Sequence, residues 1–165
     1  MPLSQAVLDN AQVSRGMLNM LLKDVGDEQM TAQPAAGMNH PAWIVGHLAC
    51  SWEFVAQVTG ADYRAPEGWN KLFGMGSKPT SDRARYPGKE ALLAELDRGD
   101  QVVTPVAAKL SDEALAAVMP LENFRRFLPT VEHGLVFGMT GHYLYHLGQL
   151  SGWRRAMGLP SAMGV

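Results

Sequence analysis

The chain has 165 residues, 47% of them hydrophobic and 18% charged, so it is expected to be a single domain (residues 1–165) with a real apolar core. Its formal net charge is -2, and its densest basic cluster (Lys78, Arg83, Arg85, Lys89) lies among Pro, Gly and Ser, so no basic stripe argues for nucleic-acid binding. The single cysteine, Cys50, excludes an intrachain disulfide and a multi-thiolate zinc site. No apolar run approaches the roughly 20 residues of a membrane span, and the N-terminus lacks the pattern of a signal peptide. A cytoplasmic protein with no membrane or nucleic-acid partner is the expectation.

The first helical segment runs from about Leu3 to Lys23, with Leu3, Val7, Ala11, Ser14, Leu18 and Leu21 on one stripe. Gly and Pro in DVGDEQMTAQPAAGM then break it. A second helix begins at Asn39 or His40, either of which can cap, with Pro41 in the first turn, and it ends at Gly60. Its stripe is Trp43, His47, Cys50, Phe54 and Val58. The stretch from Ala61 to Pro87 is too long for a tight turn; its Trp69, Leu72, Phe73 and Met75 can pack as a lid over one end of a bundle. The third helix follows Pro87-Gly88 with Leu92, Leu96, Val103, Val106 and Leu110, and Pro105 predicts a kink or break. SDEALAAV can form a short helical turn. The fourth helix spans about Thr130 to Met157, with Val131, Leu135, Met139, His142, His146, Leu150 and Trp153 in register. Gly158 and Pro160 end it, and Arg154 and Arg155 complement its C-terminal dipole. No segment alternates strictly. The prediction is an all-α four-helix bundle with a long crossover loop between helices 2 and 3.

The strongest chemical signal is H-Y-L-Y-H, which places His142 and His146 at i and i+4 on one helical face. Both fall on the apolar stripe, where an imidazole needs a partner for each nitrogen. A lone inward histidine is usually a hydrogen-bonded core residue; a pair joined by a third, His47, on another core stripe points to a metal. His40 is explained by capping or exposure. His133 lies roughly 13 Å along the helix from His142 by helix rise, too far to share an ion. No Glu is followed by His three residues on, which disfavours a di-iron bundle, and HExxH is absent. Gln149 shares the face of the pair, either orienting a ligand, binding substrate or tying helices together. Cys50, one turn after His47, could approach an ion but reads first as a small buried hydrophobe; Tyr143 and Tyr145 flank the pair and read first as packing residues, with one phenol able to reach the site. Imidazole ligands suit zinc, nickel or iron.

The segments HYLYHLGQLSGWRRAMGLP and NHPAWIVGHLACSWEF together resemble the DinB/YfiT-like family of metalloenzymes: H-x-x-x-H-x-G-Q closes the chain and W-x-x-x-H lies upstream. The resemblance implies a DinB-like bundle with a crossover, a three-histidine site made by His47, His142 and His146, and a homodimer. It also implies activities similar to transferases and isomerases dependent on a low-molecular-weight thiol such as mycothiol, bacillithiol or glutathione. The expected function is therefore a metal-dependent enzyme acting on a small-molecule substrate, with one divalent transition metal, zinc or nickel before iron. Arg83 or Arg85 would be available to recognise an anionic thiol. The alternatives are a metal-dependent hydrolase, for which Glu53 and Asp9 are the nearest carboxylates, and a non-catalytic metal-stabilised bundle.

Overall fold

The computed structural model describes residues 3–162 and 164, with side chains from Gln5 onward, so the side chain of Leu3 lies outside the described residues. Among them the chain is helical, with no strand beyond an isolated antiparallel bridge between Val118 and Thr130. The helices are α1 (Leu3–Leu22), α2 (Pro41–Thr59), the short α3 (Trp69–Phe73), α4 (Lys89–Ala107), the short α5 (Asp112–Ala116), α6 (Val131–Val136) and α7 (His142–Ala156). No described helix is long and apolar enough to cross a membrane.

Side-chain contacts fix the directions of the long helices. Lys89 at the start of α4 donates to the carbonyls of Leu22 and Val25 beyond the end of α1, so α1 and α4 run oppositely. Arg154 near the end of α7 donates to the Leu21 carbonyl, so α7 runs with α1. Asn39, just before α2, bonds Gln149 late in α7, while Phe54 late in α2 meets Phe137 ahead of α7, so these two are antiparallel. His40 lies edge-on to Tyr86, just before α4, and Trp52 lies against Gly99, so α2 and α4 are parallel. Consecutive parallel helices need a connection that returns the full length of the first, roughly 28 Å for this 19-residue helix. The long segment 60–88 supplies it, as the four-helix bundle with a crossover requires.

Local chemistry accounts for the boundaries. His40 caps α2, its Nδ1 accepting from the Trp43 amide at 3.1 Å; Pro41 occupies the first turn, and Gly60 closes the helix at φ 79°. Ser111 caps α5 and Thr130 caps α6. α4 continues through Pro105 and stops two residues later. The carbonyl that Pro105 leaves without its helical donor is that of the exposed Gln101, so water can satisfy it.

Two expectations need correction. α2 does not bury one stripe: fifteen of its nineteen residues are buried, because it is packed by α4, α3, α6 and α7 on several sides. The fourth helix is interrupted by a π-helical turn, Phe137–Gly141, between α6 and α7. There the Thr140 hydroxyl donates to the Val136 carbonyl, and Gly138 lets the turn approach α2, where a Cβ would come within 2.8 Å of Val55. Arg154 and Arg155 do lie in the last turn of α7, and Arg154 has a further use. It is buried, donates to the carbonyls of Leu21 and Pro160, and pairs with Asp24, tying the end of the chain to α1.

Candidate metal centre

One face of α7 and the middle of α2 bring three imidazoles together. The Nε2 atoms of His47 and His146 each lie 3.1 Å from Nε2 of His142, and the three ring nitrogens all lie within 4.8 Å of one another. His47 and His146 are buried and His142 is half-buried.

The opposite nitrogens of two rings are occupied by acceptors. The Phe73 carbonyl accepts from Nδ1 of His47 at 2.7 Å, and Oε1 of Gln149 accepts from Nδ1 of His146 at 3.0 Å. Gln149 is held in that orientation by Nδ2 of Asn39, which donates to the same oxygen at 3.1 Å. With Nδ1 as donor, each of these rings in its neutral form presents an Nε2 lone pair to the shared centre. Burial, reinforced by its two histidine neighbours, lowers the pKa of His142 to about 3. Burial and His47 lower His146 to about 4, and burial lowers His47. The rings are thus neutral at pH 7. In a poorly solvated place the lone pairs of His47 and His146 need a positive partner, which either the Nε2–H tautomer of His142, 3.1 Å from both, or a cation supplies. The cluster could hold a metal ion, and three imidazoles suit first-row transition metals.

Packing aligns the rings. Trp43, one turn before His47, stacks on it at 4.7 Å with planes 8° apart, and its indole nitrogen is anchored on the Ser77 hydroxyl. Gly46 lets α3 lie directly on α2. A Cβ there would fall 2.5 Å from the Phe73 ring, so glycine is what allows the Phe73 carbonyl to reach His47.

The cluster opens onto a cavity of about 940 Å³. Phe54, Phe124 and Phe137 form an aromatic wall, with Phe54 edge-on to the other two. Tyr145 lies edge-on to His146 and lines the cavity, whereas Tyr143 points to the other side of the helix. Glu53 also lines it, but its two oxygens accept from the Ala65 amide and from Asn70 Nδ2, both at 2.8 Å. Asp9 is exposed on α1 and accepts from Gln5. Cys50 borders the cavity as a buried thiol that burial pushes up to about 12, so it stays protonated and apolar.

The other residues weighed from the sequence stand elsewhere, among them His40 and His133, which the sequence reading leaves out of the site. His40 is fully buried rather than exposed, with Nε2 donating to the Thr80 carbonyl at 3.0 Å while Nδ1 caps α2. His133 is exposed at the start of α6, beside the Thr130 hydroxyl. In the crossover, Phe73 is the buried anchor, Trp69 and Leu72 pack partly, and Met75 is 86% exposed. Arg83 is spent on Asp27 and the Tyr86 carbonyl, and neither Arg83 nor Arg85 lines the cavity. Sequence reasoning missed Asn39, whose capping propensity hid its bond to Gln149, and the Phe73 carbonyl, a backbone atom with no residue-type signal.

Fold and site together define a helical bundle carrying a three-histidine cluster able to take a metal ion. The family model for the DinB superfamily matches residues 11–150, and the chain belongs to that superfamily. No curated protein matches it.

Proposed function

We propose that the chain is a metal-dependent enzyme of thiol-transferase or thiol-dependent isomerase type. His47, His142 and His146 hold one divalent transition ion, zinc or nickel ahead of iron. The observation that carries this reading is the meeting of three Nε2 atoms at the wall of a cavity large enough for two small molecules. Such an ion supplies Lewis acidity and lowers the pKa of a thiol or water beside it. Phe73 and Gln149 fix the tautomers of His47 and His146, Trp43 holds the His47 ring, and the Phe54–Phe124–Phe137 wall seats apolar substrate surface and excludes water.

The described residues lining the cavity include no lysine or arginine, while Glu53 and the exposed Glu122 are present. A thiol without net negative charge suits these walls better than one bearing several carboxylates. A hydrolase reading is weaker because both Glu53 oxygens are already taken. The test is single-turnover conjugation with neutral and carboxylated thiols and a panel of electrophiles, comparing metal-loaded and metal-stripped protein. Metal-dependent thioether formation with neutral thiols is expected; no conjugation across the panel overturns the assignment.

We infer self-association through the outer face of α1 and α7. Val13, Met20 and Leu144 are exposed there, and Gly16, Gly148 and Gly152 have no side-chain neighbour although a helical glycine costs about 1 kcal/mol. A second copy packing closely on this face would account for both features. Sedimentation should show a dimer that Gly148→Arg converts to monomer; a monomeric wild-type protein refutes it.

A further inference from the structure

A second cavity lies on the far side of the π-turn from the histidines. Phe137, Gly138 and His142 line the first cavity, whereas Met139 and Tyr143 line the second, so this one turn separates the two. The second cavity, of about 160 Å³, is enclosed by residues of α1, α2, α4 and α7 and by the turn itself. Its size is close to the ~150 Å³ cavity that takes up benzene when its walls are wholly apolar.

These walls are not wholly apolar. Three buried donors belong to its lining: the Tyr143 hydroxyl, the Trp52 indole N–H, and Nη1 of Arg15. None meets a partner in good hydrogen-bond geometry among the described residues. Tyr143 and Trp52 are only 6% and 7% exposed, so bulk water does not solvate them freely. The Arg15 guanidinium bonds Asp97 through Nε and Nη2 and also lies close enough to make a weak donor contact to the Tyr143 oxygen, which leaves the Tyr143 O–H itself to find an acceptor. Buried donors without a good acceptor are destabilising, and three in one cavity call for a common acceptor.

Charge decides what kind of acceptor. Arg15 is already neutralised by Asp97, and Asp100 adds a carboxylate to the lining, one of its oxygens accepting from the Thr104 hydroxyl. An anion would face Asp100 with no free cation to offset it. A neutral group with a strong acceptor avoids that repulsion, and an N–H or O–H on the same group can donate to Asp100. The hydrocarbon of Leu8, Ala11, Leu96 and Met139 leaves room for a short alkyl group.

We propose that this cavity is a binding site for a small neutral amide or alcohol, its oxygen held by Tyr143, Trp52 and Arg15 and its alkyl end against Met139 and Leu96. The site is independent of any metal at the histidine cluster. Its test uses the full chain and propionamide as probe, with propionate as the charged control. Titration followed by NMR should give a saturable shift of the Trp52 indole N–H, identified by its loss in Trp52→Phe, and NOEs from the probe methyl to the Met139 methyl. Tyr143→Phe should weaken binding by about tenfold. Binding of propionate in preference to propionamide would overturn the neutral class. No saturable shift or no NOE to Met139 in the wild-type protein would mean that the donors are met by water alone and would overturn the site. Wild-type affinity in Tyr143→Phe would overturn the assigned contacts.

Discussion

His40 and His47 lie two turns apart, at the start and in the middle of α2, and both are buried, yet they have different uses. At His40 both ring nitrogens are committed to the backbone, one to the Trp43 amide and one to the Thr80 carbonyl. At His47 the backbone takes one nitrogen, through the Phe73 carbonyl, and the other faces His142 and His146. A buried histidine with two backbone partners is a structural clamp, here holding the crossover against the head of α2. One whose second nitrogen meets only other imidazoles is available for chemistry.

The sharpest break of that comparison is metal content. His142→Ala or His47→Ala should bring bound zinc or nickel from about one equivalent per chain to near zero after gel filtration, while His40→Ala retains it. Elemental analysis checks this, and equal loss in all three variants would abolish the distinction. Stability should follow the opposite pattern. His40→Ala removes an N-cap and strands a buried amide and a half-buried carbonyl, a cost of about 2–4 kcal/mol seen in denaturant unfolding of metal-free protein. A change under about 1 kcal/mol would show that neither bond matters.

The clamp also has a pH signature. Burial lowers His40 to about 4 from 6.5, so between those values the unfolded chain binds the proton more tightly. Its contribution is therefore complete above pH 6.5 and is lost as pH falls toward 4, amounting to about 3 kcal/mol. Unfolding of metal-free protein at pH 7 and 4.5 should show a drop to which His47, His142 and His146 add, and His40→Asn should make it smaller by about 2 kcal/mol.

Two smaller effects sharpen the His47 side. Gly46→Ala should displace the Phe73 ring, destabilising the fold by about 1–3 kcal/mol and weakening metal retention together, as parallel unfolding and metal titrations would reveal. Gln149→Leu removes the acceptor at His146 Nδ1 and should lower metal affinity by about 10–100-fold with little change in metal-free stability. Chelator competition measures it; unaltered affinity would leave Gln149 with only its tie to Asn39.

The sequence by itself determined the long helices and the inward direction of the histidine pair, because helical period and caps are local properties. Pro41 and Gly60 bounded α2, and the i, i+4 spacing put His142 and His146 on one face whatever the rest of the chain did. The meeting with His47 could be expected from its core stripe, but its distance could not. Only the tertiary structure decided which nitrogens converge, because that depends on a carbonyl brought from Phe73 across Gly46 and on Asn39 turning Gln149. It also decided that Arg83 serves Asp27 and that a π-turn divides two cavities. These outcomes depend on contacts between residues far apart in the chain, which periodicity does not encode.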